Sequence, residues 1–210
     1  MSDKDPATGG AAAGHRGRLV VALSVTVAFA AIEVIGGLHA ASLALLADAA
    51  HMLISASGLA LVMIANQNAE RRAMPVKAHG YGNAGVAIVL TGCAFFLLLV
   101  VCILYEAYQR SLSLPEVRGG LMLIIAMGSL IVNLGNMKLL AAESSPRPHG
   151  KRPWVSILHD MPGSLEVVVT AIIIVLTGWS LVDPIVGAAI GLYIIPRTWV
   201  LANRAIRLQS

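Results

Sequence analysis

Charged residues are scarce in this sequence. Asp, Glu, Lys and Arg together make up 12% of its 210 residues, whereas soluble domains carry about 25%. Hydrophobic residues make up 57% and are gathered into several long runs. Because a helix needs about 20 consecutive apolar residues to cross a bilayer, this composition excludes an ordinary soluble protein and predicts a membrane protein.

Cysteine is also rare, and familiar catalytic motifs are missing. Cys93 and Cys102 both lie in apolar sequence without a C-x-x-C spacing, so we expect neither a disulfide framework nor a thiolate zinc site. The net charge of +4 is small and scattered along the chain, which does not indicate nucleic-acid binding. The sequence has no nucleophile-base pair, phosphate-binding loop or cofactor motif. We therefore expect no enzyme activity and no resident cofactor.

The apolar runs predict an all-α membrane protein with six transmembrane helices. The predicted spans are Leu19–His39, Ser42–Ala65, Ala84–Tyr108, Gly119–Leu140, Trp154–Gly178 and Leu181–Val200. A six-helix transmembrane domain is thus expected over residues 19–203. It lies between a flexible N-terminal tail over 1–18 and a short C-terminal tail over 204–210, and no soluble module is expected after helix six.

Basic residues lie mostly on one side of the predicted bundle. The N-terminal tail, the loops after helices two and four, and the C-terminal end carry most of the Lys and Arg, the C-terminal end having Arg197, Arg204 and Arg207. The opposite side has only Arg110 and Arg118. Cytoplasmic loops of membrane proteins are enriched in Lys and Arg. The sequence therefore predicts that both termini are cytoplasmic.

A few ionisable side chains fall inside the predicted spans, where they are costly and usually functional. They are Glu33, Asp48, His51, Glu106, His159, Asp160 and Glu166. Asp48 and His51 are three residues apart and share one helix face. Imidazole and carboxylate are ordinary ligands of zinc and similar divalent ions. Two helices that each offer a His and an Asp predict a metal site between them.

Each of these residues also has a structural interpretation. Asp48 and His51 could be a hydrogen-bonded pair between helices, Asp160 a helix-start residue, and His159 a side chain that faces water. Glu33 and Glu166 are expected between helices or on a cavity wall, and Glu106 is expected to be solvated or structural.

Several motifs resemble the cation diffusion facilitator family, in the same order along the chain. The stretch 42–53, which contains Asp48 and His51, resembles the family's second helix. Further matches are His79-Gly80-Tyr81, Tyr105-Glu106-Ala107, Val132-Asn133-Leu134, Asp160-Met161-Pro162-Gly163-Ser164 and Asp183-Pro184. The resemblance covers nearly the whole transmembrane region.

This resemblance implies both a fold and a function. It implies a transmembrane bundle of the family's type in a bacterial inner membrane, a homodimer, and export of zinc or a related divalent metal in exchange for protons. Most of the family has a cytoplasmic C-terminal domain that binds further metal. We expect this chain to be a short form without that domain.

The chain departs from the family pattern at the metal site. The family has a His or Asp followed four residues later by an Asp, once on helix two and once on helix five. Here His51 is followed by Ser55, and the register set by Gly163-Ser164 places Asp160 after Ser156. Each helix therefore keeps one ligand and has a hydroxyl group in place of the other.

The candidate metal ligands are Asp48, His51, Asp160 and His159. Asp48 replaces the carboxylate missing at Ser55, whereas His159 is a ligand only if the register of helix five is shifted. The expected partners are a divalent metal ion, protons and the lipid bilayer, with Zn²⁺ preferred and Cd, Co, Mn or Fe as alternatives. A competing interpretation is that the lost ligands mark a non-transporting relative, a membrane scaffold or regulatory partner of a complete transporter.

Overall fold

The structure is a computed structural model of the chain. It describes residues 6–72, 81–113, 115–141 and 162–207, with side chains described for 17–58, 60, 87–113, 115–139, 163–203, 206 and 207. These residues form six α-helices and no strand. The predicted all-α class and the six helices are therefore confirmed.

The helices follow one another with short connections at one end of the bundle. They are α1 Pro6–Ala40, α2 Leu43–Arg72, α3 Tyr81–Ser113, α4 Gly119–Ala141, α5 Pro162–Thr177 and α6 Val182–Arg207. Helices α1, α3, α4 and α6 contain apolar stretches long enough to cross a membrane. The apolar stretches of α2 and α5 are shorter, Leu43–Gly58 and Gly163–Thr177, and these two helices are the ones expected to carry the metal ligands.

The N-terminal part of the chain differs from the sequence prediction. We predicted a flexible tail over 1–18, but α1 already begins at Pro6. Proline is favoured at the first helical position, and the alanines that follow have the highest helix propensity of all residues. The predicted start of helix five, at Trp154, lies outside the described residues.

The outer surface of the bundle is apolar. Ile88, Leu98, Ile124, Leu176 and Trp199 are each more than 60% exposed. Contiguous apolar surface of this kind is not tolerated in water, whereas in a bilayer it contacts lipid chains of the same character. The exposed side chains thus support the membrane location indicated by the composition.

Helix α2 occupies the centre of the bundle. It packs against α1, α3, α5 and α6, and its first turns are lined by buried small residues, among them Ala44, Ala47 and Ala50. At Gly187 of α6, an added Cβ would lie 3.1 Å from the carbonyl carbon of Leu43. Small residues allow helix backbones to approach closely in membranes, and here they bring α6 against the start of α2.

A side chain from α6 caps the start of α2. Asp183 is fully buried; its Oδ1 accepts a hydrogen bond from Ser42 Oγ at 2.6 Å and its Oδ2 accepts one from the Leu43 amide at 2.7 Å. The Ala44 amide also donates to Asp183 Oδ1 at 3.2 Å. The first amides of a helix have no partner within the helix, and unmet amides are costly where water is absent. The cap therefore fixes α2 just before Asp48.

A second contact at this end fixes the turn between α1 and α2. Arg110 of α3 donates to Glu106 Oε1 at 2.9 Å and to the carbonyl oxygen of Ala41 at 2.6 Å. Glu106, which we expected to be solvated or structural, thus forms an ion pair with Arg110, which lies one turn further along the same helix.

Candidate metal site

Asp48 and His51 lie side by side on α2, inside the bundle. Their exposed fractions are 1% and 3%. Asp48 Oδ1 and His51 Nδ1 are 3.8 Å apart, which is too long for a hydrogen bond. Two ligands of a tetrahedral zinc ion, each at ~2.1 Å, lie roughly 3.4 Å from one another. The two side chains are therefore placed so that a small adjustment would let them share one ion.

A network of hydroxyl groups holds the other oxygen of Asp48. Asp48 Oδ2 accepts hydrogen bonds from Ser164 Oγ of α5 at 2.9 Å and from Ser129 Oγ of α4 at 3.3 Å. Asn133 Nδ2 donates in turn to Ser164 Oγ at 2.6 Å. Groups of this kind orient metal ligands in known sites. The network fixes the Asp48 carboxylate and leaves Oδ1 to face His51.

Sequence reasoning missed the contribution of α4. Ser129 and Asn133 are four residues apart and therefore share one face of the helix. This four-residue spacing was the feature of the sequence that could have indicated a polar face on α4. The sequence analysis considered Asn133 only as part of a family motif, and Ser164 only as a marker of the register of helix five.

Unmet hydrogen-bonding groups gather around the same place. Among the described residues, the buried side-chain atoms without a hydrogen-bond partner are Glu33 Oε1, Glu33 Oε2, Asp48 Oδ1 and His51 Nε2. Glu33 of α1 is fully buried and lies near Asp48 and Ser129. Buried polar groups are nearly always paired, so the unpaired atoms on the neighbouring side chains of Asp48 and His51 indicate a place that suits a cation.

The described part of the chain does not supply a complete ligand set by itself. Within it, no three His, Cys, Asp or Glu side chains lie close enough together to hold a metal ion. Asp160 and His159, the predicted ligands from helix five, both lie outside the described residues. Glu166, four residues after Pro162, is on the exposed side of α5 and within electrostatic range of Asp48 and His51.

Gly163 at the start of α5 leaves open the space between the two candidate ligands on α2. A Cβ added at Gly163 would lie 2.5 Å from Asp48 Oδ1 and 2.6 Å from His51 Nδ1. Any side chain here would thus occupy the gap between the two atoms. The absence of a Cβ brings the α5 backbone directly against the candidate ligands.

Comparison with known proteins shows the family of this chain. Residues 19–208 match the family model for the cation efflux transmembrane domain. The chain belongs to the cation efflux family. This confirms the resemblance to the cation diffusion facilitators, and with the apolar helices it identifies a multi-pass protein of the bacterial inner membrane.

Several cation efflux proteins are similar over most of this chain. It is 35% identical over 195 residues to the metal cation efflux system protein CzcD of Cupriavidus metallidurans, covering 93% of this chain and 62% of that protein. It is 34% identical over 189 residues to the zinc transporter ZitB of Yersinia pestis, covering 90% and 61%. A cadmium, cobalt and zinc/H(+)-K(+) antiporter of Bacillus subtilis is 29% identical over 192 residues, covering 90% and 62%. The chain spans about three fifths of the length of these relatives.

Ser55, which we expected at the position of the family's second ligand on helix two, has a basic partner in this member of the cation efflux family. Arg197 Nη1 of α6 donates to Ser55 Oγ at 2.9 Å. The Arg197 guanidinium lies 5.3 Å from the centre of the Tyr193 ring, and that ring meets His51 edge-on with centres 5.8 Å apart. Sequence reasoning had used Arg197 only to orient the chain in the membrane.

Proposed function

We propose that this chain exports a divalent metal cation, zinc above all, in exchange for protons, and that Asp48 and His51 bind the ion together with Asp160. The observation that carries this proposal is the presence of unmet polar atoms on Asp48 and His51, which lie buried side by side inside the bundle. A cation bound to both side chains would give a partner to atoms that the described residues leave without one.

The donor types favour zinc and its neighbours in the periodic table. Carboxylate oxygen and imidazole nitrogen suit Zn²⁺, Co²⁺ and similar divalent ions. The names of the relatives, which refer to zinc, cadmium and cobalt, support the same class of ion. Zn²⁺ is therefore the first candidate, with Cd, Co, Mn and Fe to be tested beside it.

Asp160 remains the proposed ligand from helix five. It precedes Gly163 by three residues, a length of chain that spans at most about 10 Å, and Gly163 abuts Asp48 and His51. His159 remains the alternative ligand from the same segment. Either side chain would supply a third ligand to the pair on α2.

Competition at one site explains how metal and protons would be coupled. Metal binding requires a neutral imidazole and an ionised carboxylate, so an arriving ion displaces protons and an arriving proton weakens the metal site. A metal ion entering from the cytoplasm would be released when protons reach the site from the other side. Rocking of helices around a fixed site would provide the alternating access, in the homodimer that family membership implies.

Metal flux into proteoliposomes tests the proposal. We expect the purified chain to carry Zn²⁺ above the background of empty vesicles, and Asp48→Asn and His51→Ala to lower that flux by at least about tenfold. Ser57→Ala is the matched control, because Ser57 lies on α2 and bonds only to the Leu53 carbonyl among the contacts seen for it. The same assay with Cd²⁺, Co²⁺, Mn²⁺ and Fe²⁺ ranks the ions.

Two results would contradict the proposal. The first is the absence of flux for every ion in the panel, and the second is flux that His51→Ala leaves unchanged. Undetectable zinc binding by calorimetry, together with a co-purifying transporter of the same family, would instead support a scaffold or regulatory partner.

A further inference from the structure

We propose that three polar side chains next to Asp48 make the metal site selective for small divalent ions such as Zn²⁺ over larger ones such as Cd²⁺ and Mn²⁺. They are Ser129, Asn133 and Ser164, and together they are called the Asp48 clamp. The inference rests on the proposed function, because it concerns the ion bound at Asp48 and His51. It assigns a part in choosing the ion to residues that are not themselves metal ligands.

The hydrogen bonds of the Asp48 clamp have a defined direction. The amide nitrogen of Asn133 can only donate, and it donates to Ser164 Oγ at 2.6 Å. Ser164 is therefore the acceptor in this bond, and its single proton is left for Asp48 Oδ2 at 2.9 Å or Ser129 Oγ at 3.0 Å. An ionised carboxylate is a stronger acceptor than a hydroxyl group, so the Ser164 proton is directed at Asp48.

Two hydroxyl groups thus donate to the same oxygen of Asp48. Ser129 Oγ lies 3.3 Å from Oδ2, and Asp48, Ser129 and Ser164 are all deeply buried. If Oδ2 turned towards a metal ion, the acceptors left for the two protons among the described contacts would be neutral, namely the neighbouring hydroxyl group and the Met52 sulfur atom 3.6 Å from Ser129 Oγ. Because hydrogen bonds to charged groups are stronger than bonds to neutral ones, taking Oδ2 from the clamp is unfavourable.

The other oxygen of Asp48 is open. Among the described residues, Oδ1 has no hydrogen-bond partner, and it lies 3.8 Å from His51 Nδ1. Gly163 keeps this side clear, because a Cβ there would lie 2.5 Å from Oδ1. Two adjacent residues of α5 therefore act differently on the two oxygens: Gly163 leaves Oδ1 open, and Ser164 holds Oδ2.

This difference between the two oxygens restricts how Asp48 can bind a metal ion. Zn²⁺ is usually held by four ligands in a tetrahedron, for which one oxygen of a carboxylate is enough. Larger ions take six or more ligands and can use both oxygens of one carboxylate. Binding through both oxygens of Asp48 would take Oδ2 from the clamp, whereas binding through Oδ1 alone would not. The clamp therefore disfavours the larger ions more than it disfavours Zn²⁺.

The experiment measures the affinity of the full chain for Zn²⁺, Cd²⁺ and Mn²⁺ by competition with a chelating dye. Ser164→Ala and Ser129→Ala each remove one donor to Oδ2, and Asn133→Leu removes the donor to Ser164. Thr170→Val is the matched control, because Thr170 is a buried hydroxyl residue of the same helix that donates to the backbone carbonyl of Glu166. Thermal unfolding in detergent verifies that each variant is folded, and either serine variant tests the inference if the other does not fold.

We expect Ser164→Ala to lower the preference for Zn²⁺ over Cd²⁺ and Mn²⁺, expressed as a ratio of dissociation constants, by about tenfold. Ser129→Ala should lower it by about threefold, because its bond to Oδ2 is longer. Asn133→Leu should also lower it by about threefold, because Ser164 keeps its hydroxyl group but loses the donor that sets its direction. Thr170→Val should leave the ratio unchanged.

A clamp that only supported the fold of the site would weaken all three ions by the same factor. Equal losses of affinity in a folded Ser164→Ala or Ser129→Ala variant, or an equal change of the ratio in Thr170→Val, would therefore overturn the inference. If the unmodified chain binds zinc and the serine variants leave the ratio unchanged, only the inference fails. If the unmodified chain binds none of the three ions, the proposed function is contradicted as well.

Discussion

A methyl group at Gly163 would fall between Asp48 Oδ1 and His51 Nδ1, 2.5 and 2.6 Å from them. We therefore expect Gly163→Ala to weaken zinc binding by at least about tenfold, because the helix backbone must retreat or the ligands must part. Gly135→Ala is the matched control, since a Cβ there meets nothing within 4 Å. Isothermal titration of both variants makes the comparison, and equal affinities would show that the ion binds away from Gly163.

Glu33 offers a test in which stability and binding should change in opposite directions. Its carboxylate is fully buried and neither oxygen has a hydrogen-bond partner in the part of the chain that the structure describes. A buried carboxylate without hydrogen-bond partners lowers the free energy of unfolding. Replacement by an apolar side chain of similar size, Glu33→Met, removes this cost and should stabilise the metal-free protein by about 1–3 kcal/mol. The same change should reduce the extra stability that zinc confers.

Thermal unfolding in detergent, with and without zinc, measures both effects of Glu33→Met. A lower melting temperature of the metal-free variant would mean that Glu33 holds the bundle together, and would remove it from the candidate cation site.

The ionisable residues of the site were accessible to sequence reasoning, but their supporting groups were not. Asp48 and His51 were predicted because charged groups are rare in apolar helices and so attract attention. Ser129 and Asn133 were not, since hydroxyl and amide side chains are common between membrane helices and usually only pack or bond there. The contact of Arg197 with Ser55 was not predicted either, because it joins residues 142 positions apart and an arginine near a helix end is ordinarily interpreted as a charge that orients the protein.

At the scale of helices, the contact between Asp183 and the start of α2 should contribute strongly to stability. Asp183→Ala would remove the acceptor for Ser42 Oγ and for two backbone amides. We expect a loss of about 2–4 kcal/mol, because buried hydrogen bonds to a charged group are lost and their donors stay buried.

The test for Asp183 is the thermal unfolding of Asp183→Ala, Asp183→Asn and Glu116→Ala. Asp183→Asn keeps one acceptor oxygen, so its melting temperature should lie between those of Asp183→Ala and Glu116→Ala. Glu116 is an exposed acid in the connection before α4, so its replacement should leave the melting temperature unchanged. Equal melting temperatures for Asp183→Ala and Glu116→Ala would show that α2 does not depend on this cap.

The helices themselves were largely predictable, whereas their ends were less so. Apolar runs indicated six helices because a bilayer sets the length of a spanning segment. The start of α1 was placed too late, since a stretch rich in Ala and Gly was interpreted as a tail although alanine strongly favours helix. The cap by Asp183 joins residues that are 140 positions apart, and no local pattern announces such a contact.

For the whole molecule, the proposed exchange of metal for protons fixes the sign of the pH dependence. Metal binding displaces protons from the site, so zinc affinity should rise as the pH rises, by up to about tenfold per pH unit for each proton displaced. Zinc affinity measured at several values between about pH 5 and 8 gives this slope.

His51→Ala provides the comparison for the pH series. It should bind zinc more weakly and with a shallower slope, because one of the displaced protons is absent. An affinity for zinc that does not change with pH would contradict coupling to protons at this site.

The cap on α2 also sets an order for the maturation of the chain in the membrane. Helix α2 leaves the ribosome long before α6, and the acceptor for its first amides is Asp183, near the start of α6. Until α6 is inserted, the helix that carries Asp48 and His51 has no acceptor from this side chain at its start. Final positioning of the two candidate ligands must therefore await the insertion of α6.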